Sequence, residues 1–183
     1  MAVKTFTTEV LTSADTNTYL ANSGLVYVTS ATIGTTVSTV TVTNAFNSTY
    51  SDYRVVISGV SFSGADNDAR VKFEAALSTY NWAGTYQTYS TPTTITGTGA
   101  ANSSGGITIA ATETSGNFSC AFDVQRPALA SFTVVTGTHA NDSYRTTYSG
   151  CMNTATAYTD LIFNTSSGTM TGGTIKVYGY RNG

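Results

Sequence analysis

The sequence predicts an all-β protein of antiparallel strands stacked in two layers, and three observations point there. Small hydroxyl residues dominate, with 37 Thr and 20 Ser among 183 residues. Together with 12 Tyr they favour a pleated, half-buried surface. Only 10% of residues are charged, against a usual ~25%, and the helix formers Glu, Lys and Gln are scarce. Finally, short runs of alternating apolar and polar residues are separated by Gly, Ser, Asn and Thr rather than by helical patterns. The length suits one domain, and a chain of this size can bury roughly 70% of its unfolded surface without a metal or disulfide staple.

The elements follow in order. Thr12-Ser13-Ala14-Asp15 has the spacing of a helix-capping box, with Asp in place of the usual Glu. It predicts two helical turns from Ala14 to Asn22, stopped at Gly24. So short a helix is marginal alone and needs a surface to pack on. Residues 1–24 are therefore expected to form an arm, and residues 25–183 the β domain. Leu25-Val-Tyr-Val28 begins the strand series, and Val40 and Val42 alternate with Thr39, Thr41 and Thr43. Arg54-Val-Val-Ile-Ser58 is the continuous apolar run of a central strand. Val71, Phe73 and Ala75 alternate with Arg70, Lys72 and Glu74. Thr91 to Gly106 is small and polar and reads as an extended loop. Ile107 and Ile109 follow, then Phe118, Cys120, Phe122 and Val124 in one phase, with Ser119 and Asp123 in the other. Segments 130–136, 144–149, 160–163 and 174–180 complete about ten strands, with turns at Gly105-Gly106 and Gly172-Gly173. That count in one chain suits a jelly roll, an antiparallel two-sheet sandwich. An immunoglobulin sandwich needs only ~100 residues.

Composition also excludes classes of function. The formal net charge is −2 and no basic run exists, so the electrostatic footprint of a nucleic-acid binder is absent. No stretch approaches the ~20 apolar residues of a membrane-spanning helix. The first residues carry no signal-peptide pattern, which leads to an expectation of cytosolic synthesis. Cys120 and Cys151 do not make a disulfide framework, and two reduced thiols are expected.

Signals for chemistry are sparse. His139 is the only histidine. It lies near Asp142 and Ser143, but adjacency in sequence does not assemble a triad, and a polar turn accounts for it. Asp66-Asn67-Asp68 lacks the Gly and terminal Glu of a calcium loop. Glu74, Asp123 and Asp160 have no spacing that pairs carboxylates for glycoside hydrolysis. No catalytic residue, metal ligand or cofactor is assigned. One cluster stands out: Tyr80, Trp82, Tyr86 and Tyr89 lie within ten residues and include the only Trp. Such residues can cover one end of a core, form a protein interface, or stack on a sugar between amide and hydroxyl neighbours.

Two segments carry a resemblance. Phe6-Thr-Thr-Glu9-Val10-Leu11-Thr12-Ser13-Ala14-Asp15-Thr16-Asn17-Thr18-Tyr19-Leu20 resembles an arm of tailed-bacteriophage structural proteins, of the form VLTAADVNTYL, that precedes a variable β-rich domain. It departs from that form at Thr16, where Val or Ile is frequent. Gly168 to Arg181 resembles the closing strand of jelly-roll virion proteins of marine and cyanobacterial phages. The two segments cover about 35 residues; the middle of the chain is similar only in composition. The resemblance implies a non-enzymatic, tail-associated virion protein of fibre or receptor-binding type, assembled in the host cytoplasm. It implies an arm that docks on other virion proteins through Val10, Leu11, Tyr19 and Leu20. It further implies a homotrimer whose β domain meets a host-surface glycan or protein. A capsid decoration protein, tying neighbouring capsomers together, is the alternative; the lack of a long repetitive shaft speaks for it.

Overall fold

The computed structural model describes residues 24–64, 67–73, 79–113 and 118–181. The predicted helical arm, and with it Val10, Leu11, Tyr19 and Leu20, lies outside them. The described residues contain thirteen strands and no helix. In chain order these are β1 (Leu25–Thr32), β2 (Thr39–Val42), β3 (Asp52–Phe62), β4 (Asn67–Lys72), β5 (Tyr80–Thr88), β6 (Thr96–Ser103) and β7 (Ile107–Glu113). They continue with β8 (Phe118–Gln125), β9 (Thr133–Ala140), β10 (Tyr144–Met152), β11 (Leu161–Thr165), β12 (Met170–Thr171) and β13 (Thr174–Tyr180).

The described residues are all-β, in two antiparallel sheets. The larger runs β1-β13-β3-β8-β9-β10-β5-β6, with β12 added against β3; the smaller runs β2-β11-β4-β7. Four pairs are nested in the sequence: β4 with β7, β3 with β8, β2 with β11, and β1 with β13. The hairpins β5–β6 and β9–β10 are set into this nest and extend the larger sheet on one side.

Alternation drives the packing. Phe118, Cys120, Phe122 and Val124 all turn inward from β8, as the phase of their sequence predicts. Opposite them, Val71, Leu161 and Phe163 turn inward from the smaller sheet. Both sets belong to one core. Phe118 and Phe163 join the layers, stacked with ring centres 6.2 Å apart. Strand β3 is central, between β13 and β8. It changes phase at Gly59, which adopts φ 73°, so that Ile57 and Val60 are both buried. The pairing with β8 shifts register at the same place, the mark of a β-bulge. Tyr53 closes the entry to β3: its hydroxyl donates to the Asn47 carbonyl at 2.6 Å and accepts from the Asn47 amide at 2.8 Å.

Two expectations need correction. The segment from Thr91 to Gly106 is not a loop throughout, because Thr96–Ser103 forms β6. With Gly97, Gly99, Ala100 and Ala101 it offers no apolar alternation to read, and it is held by pairing to β5. The Gly172-Gly173 pair does not reverse the chain either. Both adopt positive φ and pass the chain from β12 to β13 along the same neighbour, β3.

Candidate functional site

The four aromatic residues singled out in the sequence do not form one exposed surface. Tyr80 is fully buried and its hydroxyl accepts the Phe73 amide at 2.9 Å; it is a core residue, which corrects its candidacy as a ligand contact. Trp82 shares the inward phase of Tyr80 and packs half-buried against the core. Tyr86 meets Tyr144 edge-on at 6.0 Å. Tyr89 lies past the end of β5, exposed, in a recess with Asp142 and Ser143. Tyr80, Trp82 and Tyr86 fall in one phase of β5, but β7 backs only part of that strand, so their burial thins along it, and Tyr89 lies beyond its end.

The other candidates are also separated. His139 turns inward from β9, with its ring 5.0 Å from that of Phe118. Burial lowers its pKa from 6.5 to about 4. Asp142 and Ser143 hold each other at 3.0 Å on the exposed turn that follows. Asp160 accepts the Asn44 amide at 3.0 Å, and Asp68 is paired with Arg70 at 2.7 Å. Asp66 and Glu74 lie outside the described residues. Among the described residues no three His, Cys, Asp or Glu side chains converge as metal ligands. Cys120 and Cys151 are not joined by a disulfide. Cys120 turns into the core from β8 and Cys151 turns outward from β10, so the sheet itself separates them.

What the fold does assemble lies on the outer face of the larger sheet. Residues directly opposite one another in antiparallel strands point to the same side. Tyr27 of β1 lies opposite Tyr178 of β13, Tyr178 opposite Arg54 of β3, and Arg54 opposite Asp123 of β8. The row continues through Thr136 and Ser149 to Ala83 and Gly99. It therefore crosses eight strands, about 34 Å at the usual spacing between strands.

The two ends of this row differ in chemistry. At the β1 end Tyr27 and Tyr178 meet edge-on at 6.0 Å, and Tyr27 is 57% exposed. Next to them Arg54 Nη1 reaches the two carboxylate oxygens of Asp123 at 3.2 and 3.3 Å. Tyr180 donates to the same carboxylate at 2.7 Å. The hydrogen bond with Tyr180, followed by the charge of Asp123, holds the Arg54 guanidinium above its ordinary pKa against the opposing effect of burial. Partial burial, followed by its hydrogen bond to Asp123, raises the pKa of the Tyr180 phenol. At the β6 end side chains are small, and a groove of about 580 Å³ opens among Ala83, Gly99, Ser149, Val134, Cys151 and Asn81. Gly99 keeps its floor low: a Cβ there would lie 2.7 Å from the Trp82 carbonyl.

Sequence reasoning missed this row, although part of it was readable. In Lys176-Val-Tyr-Gly-Tyr180 the alternation places both tyrosines on the side of Lys176, opposite Val177. Their meeting with Arg54 and Asp123 depends on which strands become neighbours, and one strand's alternation does not contain that. No protein family matches this chain, and searches of curated proteins and of solved structures likewise find no match.

Proposed function

We propose that this chain is a non-enzymatic structural component of a tailed-bacteriophage virion, a tail-associated jelly-roll domain of fibre or receptor-binding type. The observation that carries the reading is the nested pairing. With the two inserted hairpins and β12 set aside, eight strands remain, and the first pairs with the last, the second with the seventh, the third with the sixth and the fourth with the fifth. Nesting of this kind supports a jelly roll, an architecture recurrent in viral capsid and lectin domains. The resemblance of residues 6–20 and 168–181 to phage virion proteins supports the same reading. So does the composition: dense strand pairing with few charges resists proteolysis and lets subunits pack without burying unpaired ions. Residues 1–24 would dock the domain on the particle, and the β domain would face outward as a homotrimer. Many copies on one particle would multiply individually weak contacts.

Quantitative mass spectrometry of purified particles tests this reading. A copy number that is a small multiple of three or six is expected of a tail component with closed symmetry. Hundreds of copies would instead make the chain a capsid decoration protein, and absence from the particle would overturn both.

A further inference from the structure

We propose that the outer face of the larger sheet is a track for a linear, uncharged oligosaccharide. The chain would be seated on Tyr27 and Tyr178 at one edge, hydrogen-bonded at Asp123 and Tyr180, and led into the groove at Ala83 and Gly99. The proposal rests on the virion reading only for the origin of the sugar, a host-surface polysaccharide.

Three observations on this face converge. Tyr27 is a large aromatic side chain left 57% exposed at the edge of the sheet. A ring face of this kind stacks on the C–H face of a pyranose, burying apolar surface while its hydroxyl stays wet. Tyr27 already meets Tyr178 edge-on, which limits its freedom and the entropy lost on binding. Beside the rings stands a polar group held in place before any ligand arrives. Asp123 accepts from both Arg54 and Tyr180. An ion pair this exposed, with side chains 37% and 34% accessible, contributes little to stability. What it provides is fixed direction: a carboxylate and a phenol set to meet vicinal hydroxyl groups. Further along, the row loses bulk, and the groove beside Ser149 leaves room for chain continuing past the anchored unit. A track about 34 Å long admits several monosaccharide units.

Charge decides between classes of ligand. Arg54 and Asp123 neutralise each other, Lys176 and Arg145 stand apart on β13 and β10, and hydroxyls from Thr136, Thr138, Thr147 and Ser149 populate the middle of the face. A nucleic acid or an anionic membrane would need a denser run of cations than these. The core of a protein interface would want more than Leu25 at the β1 edge and Val56, Ala121 and Val134 further in as aliphatic contacts. A neutral, hydroxyl-rich polymer matches what is displayed.

The test uses the full-length recombinant protein on a glycan array of neutral and acidic bacterial surface oligosaccharides. Retention of a neutral linear chain is expected. Tyr27→Ala should weaken it about tenfold, the loss of one aromatic contact, and Ala83→Arg should abolish the contribution of longer chains by filling the groove. Both positions are exposed, so the melting temperatures should stay at the wild-type value, and Ile95→Ala, at another exposed residue, should bind unchanged. Failure to retain any array sugar overturns the proposal. So do Tyr27→Ala and Ala83→Arg proteins that bind like wild type. If Ala83→Arg instead changes the oligomeric state in analytical ultracentrifugation, the groove is a contact between copies and the proposal also falls. Particle mass spectrometry is an independent readout: a chain present in the virion that binds no sugar sinks this inference alone. A chain that binds sugar but is absent from particles sinks the virion reading alone.

Discussion

The two halves of the larger sheet are built for different ends. In β13, β3 and β8 nearly every inward residue is buried: Tyr53, Val55 and Ile57, then Phe122 and Val124, then Ile175 and Val177. Beyond β9 the sheet continues, but its burial thins. Tyr80 and Met152 are fully buried where β7 crosses beneath, whereas Trp82 and Tyr86 are only half-buried and β6 is almost wholly exposed. The first half is a scaffold whose stability comes from packing. The second is an extension held by strand pairing, and its freedom from packing constraints is what allows Gly and Ala to carve a groove there.

That contrast can be broken or sharpened by substitution, beginning with the largest effect. Phe122→Ala, in the scaffold, should cost about 3–5 kcal/mol in denaturant unfolding, from lost burial and the cavity left behind. Lowering the pH should act next. Buried neutral His139 has its pKa depressed to about 4, below the 6.5 of an unfolded chain. The unfolded state therefore takes up the proton first. Stability should be complete above pH 6.5 and fall by up to about 3 kcal/mol as the pH approaches 4. His139→Gln should flatten that part of a thermal-melt pH profile. Gly150→Ala probes the seam between the halves. Its new Cβ would lie 2.7 Å from Ile107 Cγ2 and 2.9 Å from the Asn81 carbonyl. Overpacking of this kind typically costs about 1–3 kcal/mol, and amide exchange should quicken mainly in β5 and β6. Asp123→Asn, on the outer face, should change stability by less than about 1 kcal/mol.

Much of the scaffold was legible in the sequence, because buried faces leave an alternating record. Phe118 to Val124 and Thr174 to Tyr180 announce both their strands and their inward phase. The extension was less legible for the same reason. Thr96–Ser103 has no apolar side to bury, so nothing in Thr-Gly-Thr-Gly-Ala-Ala distinguishes an edge strand from a loop. The aromatic run from Tyr80 to Tyr89 was visible, but its division between core, seam and turn was not. That division follows from where β7 ends beneath β5. The outer row was the least legible, since it joins residues as distant as Tyr27 and Tyr178 through strand order alone.

Native-state hydrogen exchange followed by mass spectrometry tests the division between scaffold and extension most directly. Amides of β3, β8 and β13 should exchange last and together, through global unfolding, while those of β5 and β6 exchange earlier through local opening. Uniform protection across all the strands, or slowest exchange in β6, would contradict it.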